Sequence, residues 1–315
     1  MAFISIIIVS WNAKKYLEEC LNSILSCPLP YDTEIIVVDN ASSDGSPDAV
    51  RAEFPGVHLI RNDDNYGFAK ANNIGIRAST GDYLFFINSD VVVKAGCFEK
   101  MIAYMDGHPD IGVLGPKILS PTGAVQRSCM GFPTLWNSFT RALALDSVFP
   151  GVKLFGGHLM TYWPHDDTRS VDVINGCFWT VRRKALQEVG PLDERFFIYG
   201  EDMDWCKRFH EKGWKVVFYP EAEAVHYGGA SSANAPLKFF IEMKRADYMY
   251  WEKHHTRRAA TAFLIICLLH HAVRLLGEAA SYSFRRQKRP DGSYKIRRSL
   301  ASIKWSFNFL IIPRR

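Results

Sequence analysis

The residues best suited to chemistry fall into four short segments, each centred on a carboxylate or an imidazole. Val37-Val38-Asp39-Asn40 ends an apolar run with a carboxylate and passes into the polar turn Ala41-Ser42-Ser43-Asp44-Gly45-Ser46. A strand-end carboxylate such as Asp39 can accept a hydrogen bond from the imide N–H of uracil or thymine. It can equally shape a turn, with Asp44 or Ser46 capping the next helix. Asn88-Ser89-Asp90 follows the nearly all-apolar Tyr83-Leu84-Phe85-Phe86-Ile87. Mg²⁺ and Mn²⁺ prefer oxygen ligands, commonly one or two carboxylates completed by phosphate and water. Asp90 has the type for that task and Asn88 could be its neutral helper, although an Asp after a strand also starts turns.

The third segment, Gly200-Glu201-Asp202-Met203-Asp204-Trp205, puts three acids in one helical turn. The helix macrodipole alone favours acids there. Alternatively, one of them is a general base that deprotonates a hydroxyl. The fourth, Ala224-Val225-His226-Tyr227-Gly228-Gly229, offers a lone His. His226 is either a packing or surface residue or a neutral imidazole ligand to the same metal.

The elements that must position these residues follow from periodicity. Short, β-branched apolar runs predict strands at 3–9, 34–38, 57–61 and 82–88. Helical spacing predicts helices over 13–26, 46–54 and 69–78 between them. Such βαβ alternation implies a mainly parallel sheet with helices on both faces, whose ligands sit beyond the carboxyl ends of the strands. Asp39, Asn40, Asn88 and Asp90 all fall at such ends. A further strand is expected at 113–119, loops and short helices over 121–164, order again at 171–181, a helix over 201–212 and a strand at 215–219. Beyond residue 235 the pattern turns helical, as in 237–254.

The chain has 315 residues, enough for one large domain and an appendage. We expect a catalytic domain at 1–232 and a helical region at 233–315. Seven scattered cysteines without a C-x-x-C pair point to a reducing compartment and away from a disulfide scaffold. No basic region precedes the first apolar run, so a cytoplasmic chain is expected. The net charge of +5 hides an asymmetry: residues 251–315 hold 14 Lys and Arg against 3 acids, while the remainder is net acidic. A basic tail suggests an anionic partner, a membrane surface or nucleic acid. No nucleic-acid recognition motif accompanies it. The apolar run 259–269 is interrupted by His270, His271 and Arg274 and falls short of the ~20 residues of a spanning helix. With its basic flanks and the terminal Trp305, Phe307, Phe309, Leu310, Ile311 and Ile312, it suggests an in-plane interfacial helix or, failing that, a packing or homodimer element.

Taken in order, these segments resemble the family 2 glycosyltransferases of GT-A fold. The resemblance rests on 6–12, 35–46, Asn65-Tyr66-Gly67-Phe68-Ala69-Lys70-Ala71-Asn72-Asn73, 81–90, and 173–229, and covers roughly residues 3–232. The last stretch includes Asn175-Gly176, Phe196-Phe197-Ile198-Tyr199-Gly200-Glu201-Asp202 and Gly213-Trp214. The wording is most similar to bacterial rhamnosyltransferase-like enzymes of surface-polysaccharide assembly.

That resemblance implies roles. Asp39 would contact the nucleobase, and Asn65, Lys70 and Asn73 would lie at the nucleotide. Asp90 and His226 would ligate Mg²⁺ or Mn²⁺, with Asn88 standing where many members have Asp. Asp202 would be the catalytic base of an inverting transfer. The implied partners are a nucleotide-diphosphate sugar donor (dTDP-rhamnose leading), a lipid-linked saccharide acceptor and the anionic inner face of the membrane. Two rivals are weaker. A sugar-phosphate nucleotidylyltransferase should carry a Gly-rich loop with Arg after the first strand, where Ser10-Trp11-Asn12-Ala13 stands. A non-catalytic nucleotide-sugar-binding protein should have lost Asp90 or Asp202.

Overall fold

The βαβ alternation is realised as a twisted sheet, seen in a computed structural model that describes residues 3–27, 31–229, 236–284 and 290–311. In chain order come β1 (Ile4–Ser10), α1 (Lys14–Leu25), β2 (Thr33–Asp39), α2 (Ser46–Glu53), β3 (His58–Arg61), α3 (Phe68–Ala78), β4 (Tyr83–Asn88), β5 (Val91–Val93), α4 (Cys97–Asp106) and β6 (Ile111–Leu119). Two short strands, β7 (Val125–Gln126) and β8 (Cys129–Met130), precede three short helices, α5 (Leu135–Ala142), α6 (Leu145–Val148) and α7 (Lys153–Gly156). Then follow β9 (Arg169–Ser170), β10 (Val173–Ile174), β11 (Phe178–Arg182), α8 (Arg183–Val189), α9 (Glu201–Glu211) and β12 (Lys215–His226). Three long helices close the chain: α10 (Pro236–His254), α11 (Arg257–Phe284) and α12 (Pro290–Ile311).

The chain divides into two compact units, Met1–Phe132 with Trp163–Asn234, and Pro133–Tyr162 with Ala235–Arg315. The first holds the sheet, in the order β3-β2-β1-β4-β11-β6-β12-β5. Strands β3, β2, β1 and β4 are parallel neighbours, β11 runs antiparallel to β4 and β6, and β12 is again parallel to β6. Ile4, Ile6 and Ile8 turn to one face of β1 and pack with Leu17, Leu21 and Ile24 of α1, as the period of two in a strand and 3.6 in a helix requires. On the opposite face an aromatic stack fixes α9. Trp205 meets Phe86 of β4 at 5.4 Å, Trp179 of β11 at 5.3 Å and Phe209 of its own helix at 5.3 Å. Edge-to-face pairs of this kind contribute about 0.5–1.5 kcal/mol each beyond their buried area. The start of α9, with its acids, is thereby tied to the two central strands.

Three elements differ from the pattern-based expectation. The strand expected to end at 219 continues to His226. The chain passes Pro220 through a register shift against β6 between Tyr219 and Glu223, a place where a sheet tolerates proline. Residues 133–162 form helices grouped with the C-terminal ones. The apolar run at 259–269 lies inside one continuous helix, α11, of 28 residues. No proline interrupts it, and His and Arg are ordinary helix formers. Its most apolar 18-residue window, inside Arg257–Glu278, has a mean hydropathy of 1.8, so by length and composition alone this helix could cross a membrane. In the second unit α11 packs through Ala260 and Phe263 on Trp251 of α10. Of the expected basic and apolar tail, residues 285–289 and 312–315 lie outside the described residues.

Candidate active site

The parallel register puts the sequence-marked residues on one edge. Ser10 pairs with Asp39 and Val9 with Asn88, so β2, β1 and β4 deliver Asp39 and Asn88 to the same carboxyl-end rim. With strands about 4.8 Å apart, the two stand two strand spacings from each other.

Asp39 is 1% exposed. Its Oδ2 accepts the Ser42 amide at 3.0 Å, which holds the turn, while Oδ1 has no partner. A buried carboxylate oxygen left open is costly unless a ligand donor completes it. The turn is pinned from β1 as well: Asn12, at φ 48°, accepts the Ser43 amide on Oδ1 and donates its own amide to Ser42 Oγ. Asp44 accepts the Lys14 and Ser46 amides, so it serves the starts of both α1 and α2.

The 65–73 segment is clamped onto 192–197. Phe68 N donates to Phe197 O at 2.6 Å, and at Gly67 (φ +81°) a Cβ would come within 2.3 Å of that same oxygen. Only glycine fits both conditions. Asn65 Oδ1 accepts the Gly67 amide, Asn40 donates to Gly67 O at 3.1 Å, and the Lys70 ammonium sits 3.7 Å over the Tyr66 ring. Asn73 is buried, and its amide donates to Leu192 O and Glu194 Oε1 while accepting the Leu192 amide. Both its N–H donors are consumed, so Asn73 ties α3 to this segment and has no donor left for a nucleotide. Asn40, itself held by Asn62, is a positioning residue that the sequence pattern marked only by its place after β2.

Asp90 and His226 meet across β5 and β12, whose register sets His226 opposite Val91. His226 Nε2 lies 3.2 Å from Asp90 Oδ1. The other ring nitrogen faces Gln126 Oε1 at 3.2 Å, and the Gln126 amide donates to the His226 carbonyl at 2.6 Å. That second bond orients the Gln, so its oxygen receives the Nδ1 proton. In the neutral imidazole Nε2 then carries a lone pair toward a carboxylate, an arrangement that a shared cation completes. The residues thus fit a divalent ion. They supply two protein donors, and among the described residues no cluster of three or more metal-ligating side chains exists. The remaining positions would fall to phosphate oxygens and water. Gln126 had no signature in the sequence, coming from a two-residue strand a hundred positions away.

The acids of α9 separate by environment. Asp204 is fully buried and bonded to Arg208 at 3.0 Å, whose guanidinium also donates to the Val189 and Pro191 carbonyls. It serves structure. Glu201 is buried with Oε2 unpartnered, and burial, helped by the charges of Asp202 and Asp204, pushes its carboxyl well above the usual range. Asp202, 9% exposed, accepts the Met203 amide at 2.8 Å and follows two left-handed residues, Tyr199 (φ 67°) and Gly200 (φ 78°). Burial pushes the Cys177 thiol up to about 12, and the charges of Asp90 and Asp202 both add to the effect. Cys177 O also accepts the Asn88 amide at 3.0 Å.

This arrangement joins an open carboxylate oxygen suited to an imide, a carboxylate–imidazole pair suited to a cation, and a carboxylate at a helix start suited to taking a proton. The model of the family described as Glycosyl transferase family 2 matches residues 5–190. The chain is 26% identical over 275 residues to an N-acetylglucosaminyl-diphospho-decaprenol L-rhamnosyltransferase of Mycobacterium tuberculosis, covering 80% of this chain and 84% of that protein. It is 24% identical over 277 residues to the dTDP-rhamnosyl transferase RfbF of Shigella flexneri, covering 84% of this chain and 85% of that one. Among solved structures it is similar to the mannosyltransferase PcManGT from Pyrobaculum calidifontis in complex with GDP-Man and Mn2+. The TM-score is 0.58 at 16% identity, over 98% of this chain and 87% of that one. At that identity the likeness speaks to the fold, which is GT-A.

Proposed function

The chain belongs to glycosyl transferase family 2, and from that premise we propose an inverting, metal-dependent transfer of rhamnose from dTDP-rhamnose to a hydroxyl of a lipid-linked saccharide in cell-surface polysaccharide assembly. That it is a glycosyltransferase follows from the family and the relatives. The donor sugar is supported by two relatives named for rhamnosyl transfer, and the acceptor by one named for a diphospho-decaprenol carrier. Residues 1–232 would be catalytic, and the region from about 256 onward would hold the enzyme peripherally on the cytoplasmic face of the membrane.

The observation that carries this reading is the Asp90–His226 pair, its ring held by Gln126. Asp39 Oδ1 would accept the thymine imide proton. Asp90 and His226 would hold Mg²⁺ or Mn²⁺, which supplies charge neutralisation at the diphosphate leaving group; a neighbouring fold relative was solved with Mn2+. Asp202 would accept the acceptor hydroxyl proton as that oxygen bonds to the anomeric carbon and the carbon–oxygen bond to the diphosphate breaks. The anomeric configuration inverts and no enzyme nucleophile is needed. Burial raises the Glu201 carboxyl well above its usual range, which favours Asp202 as the basic carboxylate at the start of α9. A positioned base contributes about 10²–10⁴ in rate.

A panel of UDP-, GDP- and dTDP-sugars, each with Mg²⁺, Mn²⁺ or chelator, tests the reading. The expected result is metal-dependent turnover of dTDP-rhamnose. Preference for a GDP-sugar would overturn the donor assignment, and full activity in chelator would overturn the metal assignment.

A further inference from the structure

The second unit exposes apolar side chains in two stripes at helical spacing. On α5 these are Trp136, Phe139 and, one position past its end, Leu143. On α11 they are Leu269 (59% exposed), Val273 (62%) and Leu276 (72%). The opposite side of α11 is committed: Ala260, Leu264 and His271 are buried, and Ala260 packs with Trp251 of α10. Helix α5 is joined to this packed side, Leu135 lying against the same cluster and Ala142 O accepting the His270 ring N–H at 3.1 Å. Only 22% of the most apolar 18-residue window of α11 is buried. An apolar helix with one side fixed to its own unit and the other bare suits an interface plane better than a crossing, which would take its packed neighbours with it.

We infer that these two stripes dock the protein on an anionic lipid bilayer, with α11 lying in the interface and the aromatic side chains of α5 inserted beside it. The inference rests on the lipid-linked acceptor proposed above, and it adds residues 133–162 to the docking surface. Three observations favour lipid over another copy of this chain. Residues 251–315 carry a strong basic excess, and Arg258, near the start of α11, lies on the same side of the helix as the stripe. Between 259 and 273 α11 contains no Asp, Glu, Lys or Arg, so its bare side offers a protein partner little polar specificity. The Trp136 indole N–H already donates to Leu154 O at 2.9 Å, so its ring can enter the headgroup boundary without stranding a donor.

Flotation of the full chain with phosphatidylcholine vesicles, with and without phosphatidylglycerol, provides the test. Trp136→Ser/Phe139→Ser and Leu269→Ser/Val273→Ser/Leu276→Ser replace exposed side chains and should leave the fold intact, checked by near-UV circular dichroism. Each should lower binding to anionic vesicles about tenfold or more and remove the fraction that survives high salt, since shallow apolar insertion is not screened. Wild-type flotation of the α5 variant would overturn the role of 133–162. A concentration-dependent dimer that both variants dissociate, with flotation unchanged, would assign the face to a second copy. Donor hydrolysis without vesicles should be unchanged in both variants. Its absence in every form would sink the glycosyl-transfer reading while leaving the docking result standing.

Discussion

Asp90 and His226 face each other at 3.2 Å, and the ring is set by a Gln of the two-residue strand β7, a hundred positions away, rather than by a neighbour in sequence. A shared cation completes such a pair of acceptor atoms. Asp90→Ala should abolish the metal response of donor turnover, and His226→Ala should weaken it. Gln126→Ala touches no ligand position, yet it should cost about 10–100-fold in metal affinity by freeing the ring. Metal titration of turnover, with calorimetry on the donor–metal pair, reads all three. An unchanged metal requirement in His226→Ala would reduce that residue to packing.

Asp39 holds a turn with one oxygen and keeps the other open. Removing an acceptor that binds substrate and transition state equally should raise KM and spare kcat. Asp39→Ala should therefore raise donor KM about 10–100-fold, the range of a hydrogen bond to a charged group. Asp39→Asn should fall between, since its amide oxygen still accepts. A fall in kcat without change in KM would place Asp39 elsewhere in the reaction.

The strand-end positions of Asp39 and Asp90 and the helix start at Asp202 were legible because each closes or opens an element with a sharp pattern. A β-branched run ends at Asp39, an aromatic strand just before Asp90, and a glycine opens α9. His226 was legible as a residue but not as part of a strand, because Pro220 looks like a stop until a register shift carries the strand past it. Gln126 and the Leu192 and Glu194 partners of Asn73 were invisible, being contacts across about a hundred residues with no local period. The short helices expected within 121–164 are present, but their grouping with the C-terminal helices had no local signal, and their apolar faces gain meaning only beside α11.

Gly67 offers a test of how tightly the 65–73 segment is held. Both Gly45 and Gly67 have a left-handed φ, but a Cβ at Gly45 meets open space and one at Gly67 would run into the Phe197 carbonyl. Gly45→Ala should cost about 1 kcal/mol, the backbone part alone. Gly67→Ala adds the clash and should cost about 2–4 kcal/mol while weakening donor binding, since the segment must shift. Urea unfolding of both variants measures the difference. Equal losses would mean that the Phe197 contact yields freely.

Glu201 and Asp202 stand side by side at the start of α9, and the proposed mechanism gives only Asp202 the proton. Asp202→Asn should lower turnover by about 10²–10⁴ with donor affinity nearly unchanged, because only the proton acceptor is lost. Retention of more than about a tenth of the activity would exclude it as the base. Glu201→Gln should keep most activity and change the pH dependence of stability instead. The folded state holds the Glu201 carboxyl above its ordinary 4.5, mainly through burial and then through the charges of Asp202 and Asp204. A carboxyl so raised binds its proton more tightly folded than unfolded. Its contribution is complete below the unfolded value and is lost as pH rises toward the folded one. Gln cannot ionise, so the stability of Glu201→Gln relative to wild type should grow as pH climbs above 4.5. Urea unfolding of both proteins between about pH 4 and 8 tests this, since the linkage acts only where the two states differ in bound protons. A difference that stays flat across that range would mean that Glu201 ionises freely in the folded protein, and Asp202 would then share its helix turn with a second charged carboxylate able to compete for the acceptor proton.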